Sequence, residues 1–362
     1  MHFRSLLLNI TPMLEYNAIG SHYKPSLLCF LFFCICLLSL NAQHIELMHA
    51  GSKSDDSSYY DICRTQDGQF FVGGKFGVLK CIQKDGTLTD VDFPRGNQSI
   101  LRIQEFYNGA LILAADAGHI YRKTNHQWSV LQIPQYKKSC FYDITIMDST
   151  TAIVCGGKSE IAVGNRVIPF GFALLTTDGG DTWKPVYQKW NRMVWRVLHD
   201  KKNNITYMLT YSPFGSRVLE SSNQGTSWAK SSMRGNVLWH DMELNAEQQF
   251  VFCGGKSGNL KRKEGIIEYH NKHTDLKQQH LSPNAGMIWD YRANDSFEVA
   301  TGSKGMLHFK ENSPQQTWKT IQVQPPVNLY EISFIDGNSA FIVGSNKTLY
   351  KLIMKDRPVD GL

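Results

Sequence analysis

A chain of 362 residues with a formal net charge of +6 and only 19% charged residues lacks the charge density of a nucleic-acid-binding surface or of a charged disordered polymer. Its basic residues are scattered rather than clustered, so nucleic acid is excluded as the expected partner. With 29 glycines and 12% aromatic residues, the composition suits many short strands joined by tight turns better than long solvent-facing helices.

At the N-terminus, Lys24 precedes the apolar run Ser26–Leu40, which ends at Asn41-Ala42-Gln43. That order of charge, apolar stretch and small residue predicts a signal peptide cleaved after Ala42, hence export to the periplasm or the extracellular space. Residues 1–42 are then an N-terminal extension with its signal, and Met13 is an alternative start. The run falls short of the roughly 20 residues a membrane span needs, so no stable span is expected after cleavage; an uncleaved anchor is the alternative. Of eight cysteines, Cys29, Cys34 and Cys36 lie in this segment. The odd number that remains argues for buried thiols over a disulfide framework. No CxxC or His-rich spacing points to zinc, and His270, His273 and His280 are read as part of a solvated loop, so neither metal nor cofactor is expected.

From Tyr60 onward a short strand recurs seven times: a bulky residue, a charge, then an apolar residue. The copies are Tyr60-Asp-Ile62, Leu101-Arg-Ile103, Tyr142-Asp-Ile144, Trp195-Arg-Val197, His240-Asp-Met242, Trp289-Asp-Tyr291 and Tyr330-Glu-Ile332. Each precedes a second apolar strand that usually ends in small residues, as in Phe71-Val-Gly-Gly74 and Phe252-Cys-Gly-Gly255. Thr176-Thr-Asp-Gly-Gly-Asp-Thr-Trp183 fits the Asp-box pattern S/T-x-D-x-G-x-T-W, a turn between strands of a propeller blade. Asp178 accepts hydrogen bonds there, Gly180 supplies the backbone freedom, Thr182 completes the motif and Trp183 packs between sheets. Asn223-Gln-Gly-Thr-Ser-Trp228 is a close variant, and Asn125–Trp128 and Asn312–Trp318 are worn copies.

Seven such units predict an all-β, seven-bladed β-propeller with four-stranded antiparallel blades, a single domain over 43–362. The last repeat lacks a fourth strand, and His44–His49 is a spare one, so the N-terminal strand is expected to close the ring.

Return of the second strand alongside the first places residues about 14 apart side by side. The expected pairs are Asp61 with Lys75, Arg102 with Asp116, Asp143 with Lys158, Asp241 with Lys256 and Asp290 with Lys304. Arg196 and Glu331 lack such partners, since Ser212 and Asn346 occupy the matching places. They are therefore the candidate binding residues at the channel mouth, with Asn346 beside Glu331 and with Trp190 and Trp195 as aromatic neighbours of Arg196.

These strand openings, Gly-Gly-Lys turns and the Asp-box resemble the Ycf48-like family of photosystem II assembly factors and, more broadly, the BNR/Asp-box propellers that include sialidases. The resemblance implies a non-enzymatic module that aids assembly or stability through protein contacts, with a protein partner in the cell envelope and a glycan as the other ligand class. A sialidase-like hydrolase is the alternative. Against it, Arg166-Val-Ile-Pro169 and Gln132-Ile-Pro134 only approximate the Arg-Ile-Pro sequence of sialidases, and the inner strands open with two arginines rather than three. Lysine neighbours are also expected to keep the ring acids ionised and unfit as proton donors.

Overall fold

The computed structural model describes residues 44–52, 57–125, 127–162, 166–255, 264–271, 277–283, 286–313 and 316–354. The segment expected to be a signal peptide, Lys256 and His273 lie outside them. The strands form seven sheets of four, each antiparallel and built from strands consecutive in sequence except the last. In that sheet Leu329–Asp336, Ser339–Gly344 and Thr348–Ile353 are completed by His44–His49, which pairs Ile45 with Leu352 and Leu47 with Tyr350. The N-terminal strand therefore closes the ring, as the spare strand in the sequence predicts.

The core is divided among the joints between blades. Seven hydrophobic clusters each draw on two neighbouring sheets, including one that joins the last blade to the first. A sheet covered on both faces needs apolar residues at every position, which is why second strands read as unbroken apolar runs instead of alternating. Phe70–Gly74, Leu111–Ala115 and Phe250–Gly255 are buried throughout.

At the outer turn of the third blade, the Thr182 N–H and hydroxyl donate to the Asp178 carboxylate at 2.9 and 2.6 Å, and the Gly180 N–H donates to Thr176 Oγ1 at 2.9 Å. Gly180 has φ +96°, where a side chain would strain the backbone. Ser221, Asn223, Gly225 and Ser227 repeat the arrangement one blade on. Trp128, Trp183, Trp228 and Trp318 each pack on a cluster between blades. Arg122, from the preceding blade, pairs with Asp181, so this turn also ties the second blade to the third.

The register inside the blades differs from expectation. Every inner strand carries a bulge, falling at Tyr60, Leu101, Tyr142, Trp195, His240, Trp289 and Tyr330. One extra residue on the inner strand shifts all that precedes it. Asp61 faces Gly73, Arg102 faces Ala114, Asp143 faces Cys155, Asp241 faces Cys253 and Asp290 faces Thr301. The Lys75, Asp116, Lys158 and Lys304 positions lie past these partners, so in these four blades the register does not set the expected pairs opposite one another. The small residues closing the second strands have a related cause. A Cβ at Gly254 would fall against the Leu238 carbonyl oxygen, and one at Gly344 against that of Asn328.

Candidate functional site

The bulge that displaces the register also builds the site. Its seven extra residues line one cavity of about 260 Å³ at the mouth of the central channel, with Arg196 and Glu331 beside them. Six carry aromatic rings and only Leu101 interrupts the collar. Neighbouring rings touch around it: Tyr142 and Trp195 have centroids 4.7 Å apart, Trp195 and His240 5.5 Å, His240 and Trp289 4.9 Å, Trp289 and Tyr330 5.9 Å, and Tyr330 and Tyr60 5.8 Å. Burial, then the nearby Arg196 charge, pushes the His240 imidazole down to about 4, so it is neutral at physiological pH. Its Nδ1–H donates to the Trp289 carbonyl at 3.0 Å, which leaves Nε2 as an acceptor.

One residue along each inner strand stands a ring of charge. Arg102 bridges Asp61 at 3.1 Å, Asp143 at 2.8 Å and Glu331 at 2.6 Å. Arg196 lies 2.7 Å from Asp241, 3.6 Å from Glu331 and 3.9 Å from Asp143. Arg292 joins Asp290 at 3.0 Å, Asp241 at 3.3 Å and Glu243 at 3.2 Å, and also contacts Glu331. The charges thus pair around the ring instead of along each blade. Four of the acids also staple blade to blade. Asp61 accepts the N–H of Ile103, Asp143 that of Val197, Asp241 that of Tyr291 and Asp290 that of Ile332, each from the following inner strand.

Crowding of carboxylates splits their acidities. Burial, reinforced by Glu331 and opposed by Arg102, pushes Asp61 up to about 6. Asp290 is raised by burial and by its acidic neighbours Glu331 and Asp241. Burial also works against Asp241 and Glu331, but the surrounding guanidiniums outweigh it and hold both below the usual range. Lysines were expected to hold Asp61, Asp143, Asp241 and Asp290 ionised; the charged partners of Asp61 and Asp290 are arginines instead, and burial raises both.

Of the residues singled out in the sequence, Arg196, Glu331 and Trp195 come together in the cavity. Arg196 and Glu331 are far from free, each being gripped by several opposite charges, and only 8% and 3% of their surfaces are exposed. Asn346 lies elsewhere, in a turn where its carbonyl accepts the Gly51 N–H at 2.8 Å. Trp190 ends an outermost strand, Lys184–Trp190, is 53% exposed and rests on Phe170 at 4.9 Å, so it forms no patch with Trp195. The ammonium of Lys75 lies 4.8 Å from the centre of the Phe76 ring and that of Lys158 5.5 Å from Phe170, while Lys304 donates its N–H to Asn328. His270 is buried at the end of the strand Glu264–His270 and not in a loop.

Arg292 was missed. Its signal was its place two residues beyond Asp290, which returns it to the same face of the strand. With it, three guanidiniums converge on Glu331, so an internal carboxylate occupies the focus where an arginine trio would hold an acidic sugar. Among the described residues no group of His, Cys, Asp and Glu is arranged to hold a metal ion. A second groove, of about 530 Å³, lies at the fourth blade and is lined by Arg192, Phe214, Arg217, Arg234 and Glu268 among others. Arg217 and Arg234 sit directly opposite across two strands, and Phe214 at the hairpin tip is 85% exposed.

No protein-family profile matches this chain, and no curated protein does either. Solved structures show the same fold at low identity. Virginiamycin B lyase from Staphylococcus aureus is 12% identical with a TM-score of 0.60, over 86% of this chain and 99% of that one. YCF48 from Cyanidioschyzon merolae is 15% identical with a TM-score of 0.58, over 85% and 98% respectively. A YCF48 structure with a bound D1 peptide gives 15% and 0.60, over 87% and 96%.

Proposed function

We propose that this chain is an exported, non-catalytic propeller that binds protein in the cell envelope through the end of the ring where the inner strands begin. The observation that carries this reading is the collar cavity. It is an aromatic recess closed beneath by ion pairs, shaped to receive a side chain, and its charged groups are already committed to one another. The groove with Arg192, Arg217 and Arg234 opens beside the hairpin Ser212–Gly215, which lies at the same end of its blade by strand direction. Arg217 gives this groove a guanidinium that can take an acidic side chain of the partner. The Asp178 turn and its Asn223 counterpart serve as Asp-boxes that brace blades at the other end, in keeping with a Ycf48-like scaffold. The peptide held by YCF48 lends the reading support, as does the convergence of three arginines on Glu331, which weighs against a sialidase-like clamp.

The test is photocrosslinking from position 214 in cells, followed by identification of what is captured from the envelope, beside a screen of fluorogenic glycosides. A single envelope protein crosslinked to the parent and lost in Arg217→Glu is the expected result. Turnover of a glycoside that disappears in Asp61→Asn or Asp290→Asn would overturn the reading in favour of a hydrolase.

A further inference from the structure

We propose that the collar cavity is a receptor for an organic cation, the ammonium or alkylated ammonium head of a lysine side chain, bound by the aromatic rings above the carboxylate-rich channel. The inference deepens the protein-binding reading and rests on it only for the source of the lysine.

Two independent features point to a cation. The first is the lining. Tyr, Trp and His side chains occupy all but one of the seven bulge positions, and the faces of such rings carry negative potential that attracts ammonium groups. The volume of about 260 Å³ suits one side-chain head and is below the roughly 300–1,000 Å³ of sites that enclose a whole small molecule. The second is the charge beneath. Leaving aside Asp290 and Glu243, which burial raises, the acids Asp61, Asp143, Asp241 and Glu331 still outnumber the guanidiniums of Arg102, Arg196 and Arg292. Low-dielectric walls focus that imbalance on the mouth. Arg196, the one cation lining the cavity among the described residues, is neutralised by Asp241, Glu331 and Asp143 around it. A neutral His240 adds no repulsion. The collar offers an anion or a neutral hydrocarbon no such field.

Protons stored beneath the collar give the site a signature. Asp61 faces Arg102, Arg196 and Glu331, and burial holds it up to about 6, so at pH 6 and below a large share of it carries a proton. An arriving cation favours the ionised form, which predicts proton release on binding and tighter binding at pH 7.5 than at pH 5.

The experiment is calorimetric titration of the full chain with N-acetyl-lysine methylamide, its Nζ-trimethyl form and the uncharged N-acetyl-norleucine methylamide. The trimethyl form should bind about threefold to thirtyfold tighter than the norleucine compound. Trp195→Leu and Trp289→Leu should reduce that ratio to near one, and Trp195→Phe should keep most of it. Thermal melts identify any variant that fails to fold, and parent affinities at pH 5 and 7.5 then decide alone. Equal binding of the charged and neutral probes, or a monosaccharide that competes better than either ammonium, would overturn the proposal. Crosslinking that persists while cation selectivity is absent sinks this inference and leaves the protein-binding reading standing; selectivity without any captured protein does the reverse.

Discussion

Arg196→Ala separates a mouth residue free for ligands from one that holds the ring together. The guanidinium is only 8% exposed and lies 2.7 Å from Asp241, 3.6 Å from Glu331 and 3.9 Å from Asp143. Its removal leaves these buried acids without one of their counter-charges, and breaking a buried pair from one side costs about 3–5 kcal/mol. That is a large part of the roughly 5–15 kcal/mol by which a folded domain is stable. The deficit has a direction in pH. Without Arg196, the folded-state affinity of Asp241 and Glu331 for protons rises relative to the parent, so the loss is greatest at pH 8 and shrinks toward pH 5 as protons replace the missing charge. Urea unfolding followed by tryptophan fluorescence at both values reads the difference. The double variant Arg196→Ala/Asp241→Asn should recover about 0.5–3 kcal/mol relative to additivity, since the amide can still accept the Tyr291 N–H. A variant within about 0.5 kcal/mol of the parent at pH 8 would refute the argument and restore Arg196 as a free binding residue.

Asp61→Asn tests the crowding of acids from the other side. Its folded value of about 6 lies above the ordinary 3.8, so the stability it contributes is complete below pH 3.8 and is lost as pH rises to 6. The asparagine variant should therefore gain on the parent by on the order of 2 kcal/mol between pH 4 and pH 7.5 in urea titrations, and a constant difference would contradict the assignment. Gly254→Ala places a methyl group against the Leu238 carbonyl and should cost about 1–3 kcal/mol, whereas Gly337→Ala, with open space around it, should be nearly neutral. Equal melting temperatures for the two would show that the close approach relaxes freely. Deletion of His44–His49 should abolish cooperative unfolding, because it uncovers Thr348–Ile353 along its length; a truncated chain that melts like the parent would disprove closure by this strand.

Repeat spacing made the ring legible, because a blade is a local unit whose strands neighbour one another in sequence. The spare strand at His44 was legible for the same reason, being the missing member of a count. The charge network was not, and the failure has one physical origin. Composition and periodicity do not fix how tightly each hairpin turns, and the return strand brings Gly73 opposite Asp61 where Lys75, two residues further on, was expected. The seven bulky residues that announced the repeats were identified correctly as recurring, but only Trp195 among them was assigned to the channel mouth, because the bulge that turns all seven into the collar leaves no mark on periodicity. Contacts across the channel, such as Arg102 with Glu331, join residues from opposite ends of the chain and follow only from closure of the ring. Arg292 could have been found by carrying the two-residue alternation one step beyond the repeat itself.

The pairing of His44–His49 with Thr348–Ile353 also sets an order of events in time. His44–His49 precedes every other strand of the ring and finds its partner only once Thr348–Ile353 exists, so the ring cannot shut while the last blade is still being made. Until then Thr348–Ile353 presents a bare edge and the facing sheets of the first and last blades stay uncovered, the condition that invites misassembly between chains. Early blades can form as they emerge, but the slow, long-range event is reserved for the end, and a chain stalled short of Ile353 stays open however well its other blades are made.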